Sequence, residues 1–158
     1  HREVIDALIA PIIDDQKTRV IFSLHPKLDF SSVEHVENCW RKISFRPICE
    51  LLPCADLFVT VPSAAIHLAI SCGIPVLNYD AFHLKDDEYM EFEGIVNVNS
   101  FTAYTQSVIK ILSEKQTLED LKQKQEVTAM AYNNRDRLAE ELYINMIEYA
   151  ETQMVSEK

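Results

Sequence analysis

Apolar positions recur along this chain with two alternating spacings, and the alternation predicts helices and strands in turn. Residues 2–16 carry apolar side chains at helical spacing, which predicts an amphipathic helix. Short apolar runs rich in β-forming residues predict strands at 19–24, 42–45, 56–61, 75–79 and 95–98. Between and after these runs, the pattern predicts helices at 47–54, 64–72 and 101–113. Such an alternation is typical of βαβ units, so we expect an α/β fold with a parallel sheet.

The last part of the chain changes character. Residues 117–131 and 134–154 are rich in charge but keep an apolar stripe, which predicts two long C-terminal helices. The stripe consists of Leu118, Leu121, Leu138, Leu142, Met146 and Tyr149. We therefore divide the chain into a sheet-forming domain at 1–114 and a helical extension at 115–158 that packs on it. Because doubly wound sheets usually begin with a strand, we expect the first strand to precede His1.

Composition and charge narrow the classes of function. The 158 residues fit one domain, and only two of them are glycine, which disfavours glycine-rich phosphate loops. A net charge of −10 disfavours non-specific nucleic-acid binding. No apolar run approaches the roughly 20 residues of a membrane span, which leaves only peripheral membrane association. The four cysteines form no C-x-x-C pair, so we expect reduced thiols in the core of a cytoplasmic protein.

The turn between the strand at 56–61 and the helix at 64–72 is the strongest candidate site. Pro62 and Ser63 form this turn, and Ser63 is expected to be the N-cap because its oxygen can accept a first-turn N–H. Ala64 and Ala65 are small, so an anion could approach backbone N–H groups that the helix dipole also makes favourable. Ligands of open parallel sheets bind at the carboxyl ends of strands. The turn therefore predicts an anion or nucleotide site, with a role for Ser63 in capping alone as the alternative.

The segments around this turn resemble one enzyme family. In order, they are Ala55-Asp56-Leu57, Phe58-Val59-Thr60-Val61, Pro62-Ser63-Ala64-Ala65 and Gly73-Ile74-Pro75-Val76. This order resembles the C-terminal, nucleotide-sugar-binding domain of GT-B glycosyltransferases and of the related UDP-N-acetylglucosamine 2-epimerases. Leu24-His25-Pro26 is similar to a strand end in capsule and teichoic-acid-type transferases. The resemblance implies a Rossmann-like doubly wound parallel sheet.

The resemblance also implies a function and a set of site residues. Pro62, Ser63, Ala64 and Ala65 would hold the diphosphate of a nucleotide-diphosphate sugar, with His25 near the same cleft. The implied reaction is transfer of a sugar or similar group in bacterial surface-polysaccharide synthesis, with no metal or other cofactor. A missing N-terminal GT-B domain would complete the cleft. Arg46 is expected either to pair with a phosphate or to be a surface arginine, and His25 could instead bond to backbone.

Two departures from the family pattern support a second interpretation. The family turn is often Ser-Gly-Gly or Ser-Ser, and many members carry a glutamate soon afterwards that holds the ribose. Here the turn is Ser-Ala-Ala, and the following residues are His67, Leu68 and Ala69. The alternative is a non-catalytic binding or interaction module that keeps the fold but has lost donor chemistry. Under either interpretation, no residue of this chain is assigned as catalytic base.

Two further histidines, His67 and His83, are candidates for chemistry. We expect His67 to have a structural role, because it lies one turn into the helix at 64–72. His83 and Asp86 have the spacing of metal ligands. Because no further histidine or cysteine ligands accompany them, no metal site is predicted.

Overall fold

Parallel strands with helices around them form the fold. The computed structural model describes residues 2–12, 18–23, 43–84 and 89–133. The elements are α1 (Arg2–Ile9), β1 (Phe22–Ser23), β2 (Ile43–Ser44), α2 (Ile48–Leu51), a 3-10 turn (Leu52–Cys54), β3 (Phe58–Thr60), α3 (Ala65–Ser71), β4 (Val76–Tyr79), β5 (Ile95–Val98), α4 (Phe101–Ser113) and α5 (115–133). Strands β3, β4 and β5 form a three-stranded sheet in that order, and β1 pairs with β2. The strands are parallel in both sheets, which confirms the predicted α/β class.

Hydrophobic clusters cover both faces of the three-stranded sheet. On one face, Val76 and Ile95 pack with Ile66 and Ile70 of α3. On the other face, Leu77 packs in a cluster with Tyr104, Val108 and Ile111 of α4 and with Ile12. Successive residues of a strand point to opposite faces, so β4, with Val76 in one cluster and Leu77 in the other, is buried on both sides. Burial of each such side chain stabilises the fold by about 1.5–3 kcal/mol.

Helix α5 crosses the edge of the sheet at which the strands begin. Its Lys122 Nζ lies 2.6 Å from Oδ1 of Asp56, two residues before β3. Farther along, Gln125 packs against Gly94, which directly precedes β5. The helix contributes to both clusters, with Leu118 and Leu121 in the one that contains α4 and Tyr132 in the one that contains α3. Helix α5 therefore joins the two hydrophobic layers.

Several predicted elements are shorter in the structure. The helix predicted at 2–16 ends at Ile9, and the strands predicted at 19–24 and 56–61 are reduced to β1 and β3. Strand β3 is short because its ladder pairs only opposite Val76–Asn78. The helix predicted at 47–54 changes to a 3-10 turn at Leu52, because Pro53 has no N–H to continue α-helical bonding. The helix predicted at 134–154 lies outside the described residues.

The prediction of core cysteines is wrong for the described residues. Cys49, Cys54 and Cys72 are all free and exposed. Of the short helical segment 48–54, only Leu52 is buried, so Cys49 and Cys54 lie on the outward side. Cys72 is the residue that ends α3. Cys39 lies outside the described residues.

Gly73 ends α3 in the left-handed conformation that its position predicts, with φ of 70°. Its N–H donates to Ile70 O and the N–H of Ile74 donates to Ala69 O, which is a Schellman motif. We expect Gly73→Ala to lower the free energy of unfolding by about 1 kcal/mol, since a Cβ disfavours this conformation. Crowding is not the cause, because an added Cβ would lie 3.9 Å from its nearest neighbour, Ala129.

Urea denaturation measures this cost of Gly73→Ala. Gly73→Asn is the matched control, because asparagine tolerates the left-handed conformation and should recover much of the lost stability. Equal losses in the two variants would contradict the assignment of the cost to the backbone.

Candidate ligand-binding site

The turn after β3 has a compact hydrogen-bonding pattern. Ser63 Oγ accepts the N–H of Ala65 at 3.3 Å, and Ser63 O accepts the N–H of Ile66 at 3.0 Å. Ala64 already has helical dihedrals, and its carbonyl accepts the N–H of His67 at 3.2 Å. The predicted capping role of Ser63 is confirmed, because its oxygen accepts a first-turn N–H, although the regular α-helix begins only after Ala64. Ser63 still bonds to the first N–H of the helix.

Two backbone N–H groups of this turn are available to a ligand. The N–H groups of Ser63 and Ala64 make no hydrogen bond with any residue that the structure describes. Ala64 is exposed, and Pro62 and Ser63 are half-buried. Ala65 is also among the residues that the resemblance assigns to a diphosphate, but its N–H is already bonded to Ser63 Oγ. The available pair is therefore Ser63 and Ala64.

Of the other predicted site residues, the structure describes only Arg46. Arg46 follows β2 and is exposed, and its backbone N–H donates to Ser44 Oγ at 3.2 Å. Arg46 thus follows the two-stranded ladder of β1 and β2, whereas the turn follows β3 of the three-stranded sheet. His25 lies outside the described residues.

A row of polar side chains that we did not predict crosses the sheet beside this turn. Thr60, Asn78 and Asn97 are paired in register on β3, β4 and β5. Asn78 Nδ2 donates to Asn97 Oδ1 at 3.0 Å, and Asn97 Nδ2 donates to Tyr89 O at 3.2 Å. Asn78 is only 3% exposed, and its Oδ1 has no hydrogen-bond partner. The available sequence signal was asparagine inside two apolar strands, where this residue is disfavoured.

A chain of polar contacts leads from this row to α5. Tyr89 Oη lies 3.4 Å from His67 Nε2, and Tyr132 Oη lies 2.9 Å from His67 Nδ1. The His67 ring packs edge-on against Tyr89 and stacks with Tyr132, at centroid distances of 5.4 and 6.0 Å. His67 thus connects α3, the segment before β5 and α5, which agrees with its predicted structural role.

The loop after β4 borders the same edge of the sheet. Asp80 Oδ1 accepts the N–H of Leu84 at 2.9 Å, and His83 has a positive φ of 53°. Phe82 and Leu84 are exposed. Within the described residues, no group of three or more metal-binding side chains is present. Asp86, the other half of the metal-like spacing, lies outside them.

Comparison with known proteins leaves the chain without an assigned family. It matches no protein-family model and no curated protein. No helix in the described ranges has the length and apolar character that a bilayer crossing requires. The site is therefore interpreted from its own geometry and from the resemblance of its sequence.

Proposed function

We propose that this chain is the donor-binding half of a GT-B-type glycosyltransferase and binds a nucleotide-diphosphate sugar. The unit β3–turn–α3–β4 supports this, because it places Ser63 at the carboxyl edge of a parallel sheet. Clusters on both faces of the sheet support a doubly wound, Rossmann-like arrangement. The implied process is bacterial surface-polysaccharide synthesis, with an N-terminal domain completing the cleft.

The available N–H pair of Ser63 and Ala64 is the observation that carries this proposal. Adjacent backbone N–H groups suit the oxygens of a diphosphate, and they need no metal to do so. In a transfer reaction, the same donors would stabilise the negative charge that develops on the leaving diphosphate. Arg46 and His25 remain candidates for further phosphate contacts. No side chain here is assigned as catalytic base, so we expect the chain alone to bind better than it catalyses.

A specific observation favours the alternative of a non-catalytic module. The first turn of α3 contains no acidic residue. Ala69 is fully buried in the cluster beside α3, and His67 is engaged with two tyrosines. These positions therefore offer no carboxylate to a ribose, so an interaction module with the same fold is the second candidate.

Calorimetric titration of the full chain with UDP, CDP and GDP tests the proposal. We expect at least one of them to bind, and Ser63→Ala to weaken that binding about tenfold, because the Ser63 hydroxyl, which accepts the Ala65 N–H, can also donate its own hydrogen to the diphosphate. The backbone N–H pair is retained in this variant, so some binding should remain. The titration is done well below the melting temperature, since the variant also loses the Ser63–Ala65 bond that supports α3.

Ser71→Ala is the matched control for this titration. Ser71 is the last residue of the same helix, at the opposite edge of the sheet. Its loss should leave nucleotide affinity unchanged. The donor-binding proposal fails if none of the three nucleotides binds at millimolar concentration, and that outcome would favour the interaction module.

A further inference from the structure

The polar row on β3, β4 and β5 leaves one buried acceptor without a partner. The Tyr89 carbonyl requires Asn97 to present its Nδ2, so Asn97 Oδ1 faces Asn78. Asn78 must then present its own Nδ2 to Asn97. The two polar atoms of an amide diverge, so Asn78 Oδ1 lies away from β5, on the side of β3 and Thr60. A buried carbonyl without a hydrogen bond is costly, because the loss of its hydration is not compensated.

Thr60 does not satisfy this acceptor. Its side chain shares the sheet face of Asn78, because the two residues are paired in register. The Thr60 hydroxyl, however, donates to the Val61 carbonyl at 2.8 Å. The chain continues from Thr60 directly into the Ser63 turn. The unpartnered oxygen therefore lies on the side of β4 that faces β3, the strand that leads into the candidate site.

The geometry points to Asn78 Oδ1 as the acceptor for a hydroxyl group on the sugar of the bound ligand. The row of Thr60, Asn78 and Asn97 carries no charge, so a neutral donor fits it better than an ammonium, which would be costly to desolvate. The acceptor is buried, so the donor that reaches it must be small. A sugar hydroxyl meets both conditions. This inference rests on the proposed donor binding and specifies which part of the donor is recognised.

Two sources could supply the hydroxyl, and titrations of the full chain distinguish them. UDP against 2′-deoxy-UDP and 3′-deoxy-UDP tests the ribose, and UDP-glucose against UDP tests the attached sugar. If UDP is not the nucleotide that binds, the corresponding CDP or GDP series is used. We expect one hydroxyl to improve affinity about tenfold in the native protein, as one additional hydrogen bond allows.

Asn78→Leu removes the acceptor at nearly constant volume. We expect the discrimination between the hydroxylated ligand and its comparison ligand to fall to about one in this variant, with binding of the shared diphosphate part retained. Asn97→Leu is the matched control, because it removes the neighbouring amide of the row but keeps Asn78 Oδ1, and it should retain discrimination. If Asn78→Leu does not fold, Asn78→Ala is measured instead.

The outcomes separate this inference from the function on which it rests. Nucleotide binding without hydroxyl discrimination in the native protein overturns the role of Asn78 and leaves donor binding intact. The same conclusion follows if discrimination survives in Asn78→Leu or Asn78→Ala. Absence of binding by UDP, CDP and GDP overturns both.

Discussion

Replacing Gly94 by alanine is expected to lower the free energy of unfolding by about 3 kcal/mol, the upper end of the usual cost of overpacking. A Cβ at position 94 would lie 1.7 Å from Gln125 Oε1 and 2.6 Å from Gln125 Cβ and Cδ. The end of the glutamine side chain could move, but its Cβ is fixed to α5. The helix would therefore have to shift away from the start of β5. Chemical denaturation monitored by circular dichroism measures the loss.

A double-mutant cycle assigns this loss to Gln125. Gln125→Ala in the Gly94→Ala background removes the contacts with Oε1 and Cδ but keeps the contact with Cβ, so stability should recover in part. Gln125→Ala should not restore stability to Gly73→Ala, because the cost of that substitution comes from the backbone conformation. A Gly94→Ala protein that unfolds at the native denaturant midpoint would contradict the close packing of α5.

Raising the pH above about 10, the ordinary pKa of tyrosine, is expected to destabilise the fold through Tyr104. Burial raises the pKa of this phenol, and the neighbouring Tyr79 raises it further. A raised folded-state pKa gives a stability contribution that is complete below the unfolded pKa. It is lost as the pH rises above that value towards the folded pKa, at about 1.4 kcal/mol per pH unit. The buried hydroxyl donates to Leu8 O at 2.6 Å, so ionisation would also remove a bond to α1.

Denaturation curves at pH 8 to 11 compare the native protein with two variants. Tyr104→Phe should be less stable at pH 8, by about 1 kcal/mol for the lost hydrogen bond, but should lose less stability as the pH rises. Tyr79→Phe is the control, since it alters the stacked neighbour and keeps the buried phenol. The pKa of Lys122 is also raised, by its hydrogen bond to Asp56, so deprotonation of Lys122 at high pH also lowers the stability of the fold. That exposed pair is unchanged in both variants and contributes little. Identical slopes in all three proteins would exclude Tyr104 as the cause.

The sequence was most informative where local signals determine an element alone. The predicted bounds of β5 and α4 are confirmed, because three of the four strand residues are apolar β-formers and Ser100 Oγ accepts the N–H of Ala103 at the start of the helix. Gly73 was predictable for the same reason, since a residue just past a helix end has a defined conformation. Strands β1 and β3 were predicted too long. A ladder extends only as far as the partner strand pairs with it, and the local sequence pattern does not specify the length of that pairing.

The candidate site was predictable only in part. The Ser63 turn follows from a strand, a small-residue turn and a helix in succession. The row of Thr60, Asn78 and Asn97 depends on the register of three strands that are distant in the sequence, so no local window predicts it. The exposure of Cys49 and Cys54 depends on which side of a very short helix meets the core, and an apolar context does not determine this. Roles for His25 and Arg46 remain predictions.

The path of α5 also bears on where this chain can be divided. Its residues contact Asp56 and Gly94, which precede β3 and β5, and the Ser71 carbonyl at the end of α3, and they enter both hydrophobic clusters. A fragment cut at residue 114 would expose apolar surface on both sides of the sheet and leave His67 without its Tyr132 partner. The sheet and α5 should therefore lose hydrogen-exchange protection together, as one cooperative unit.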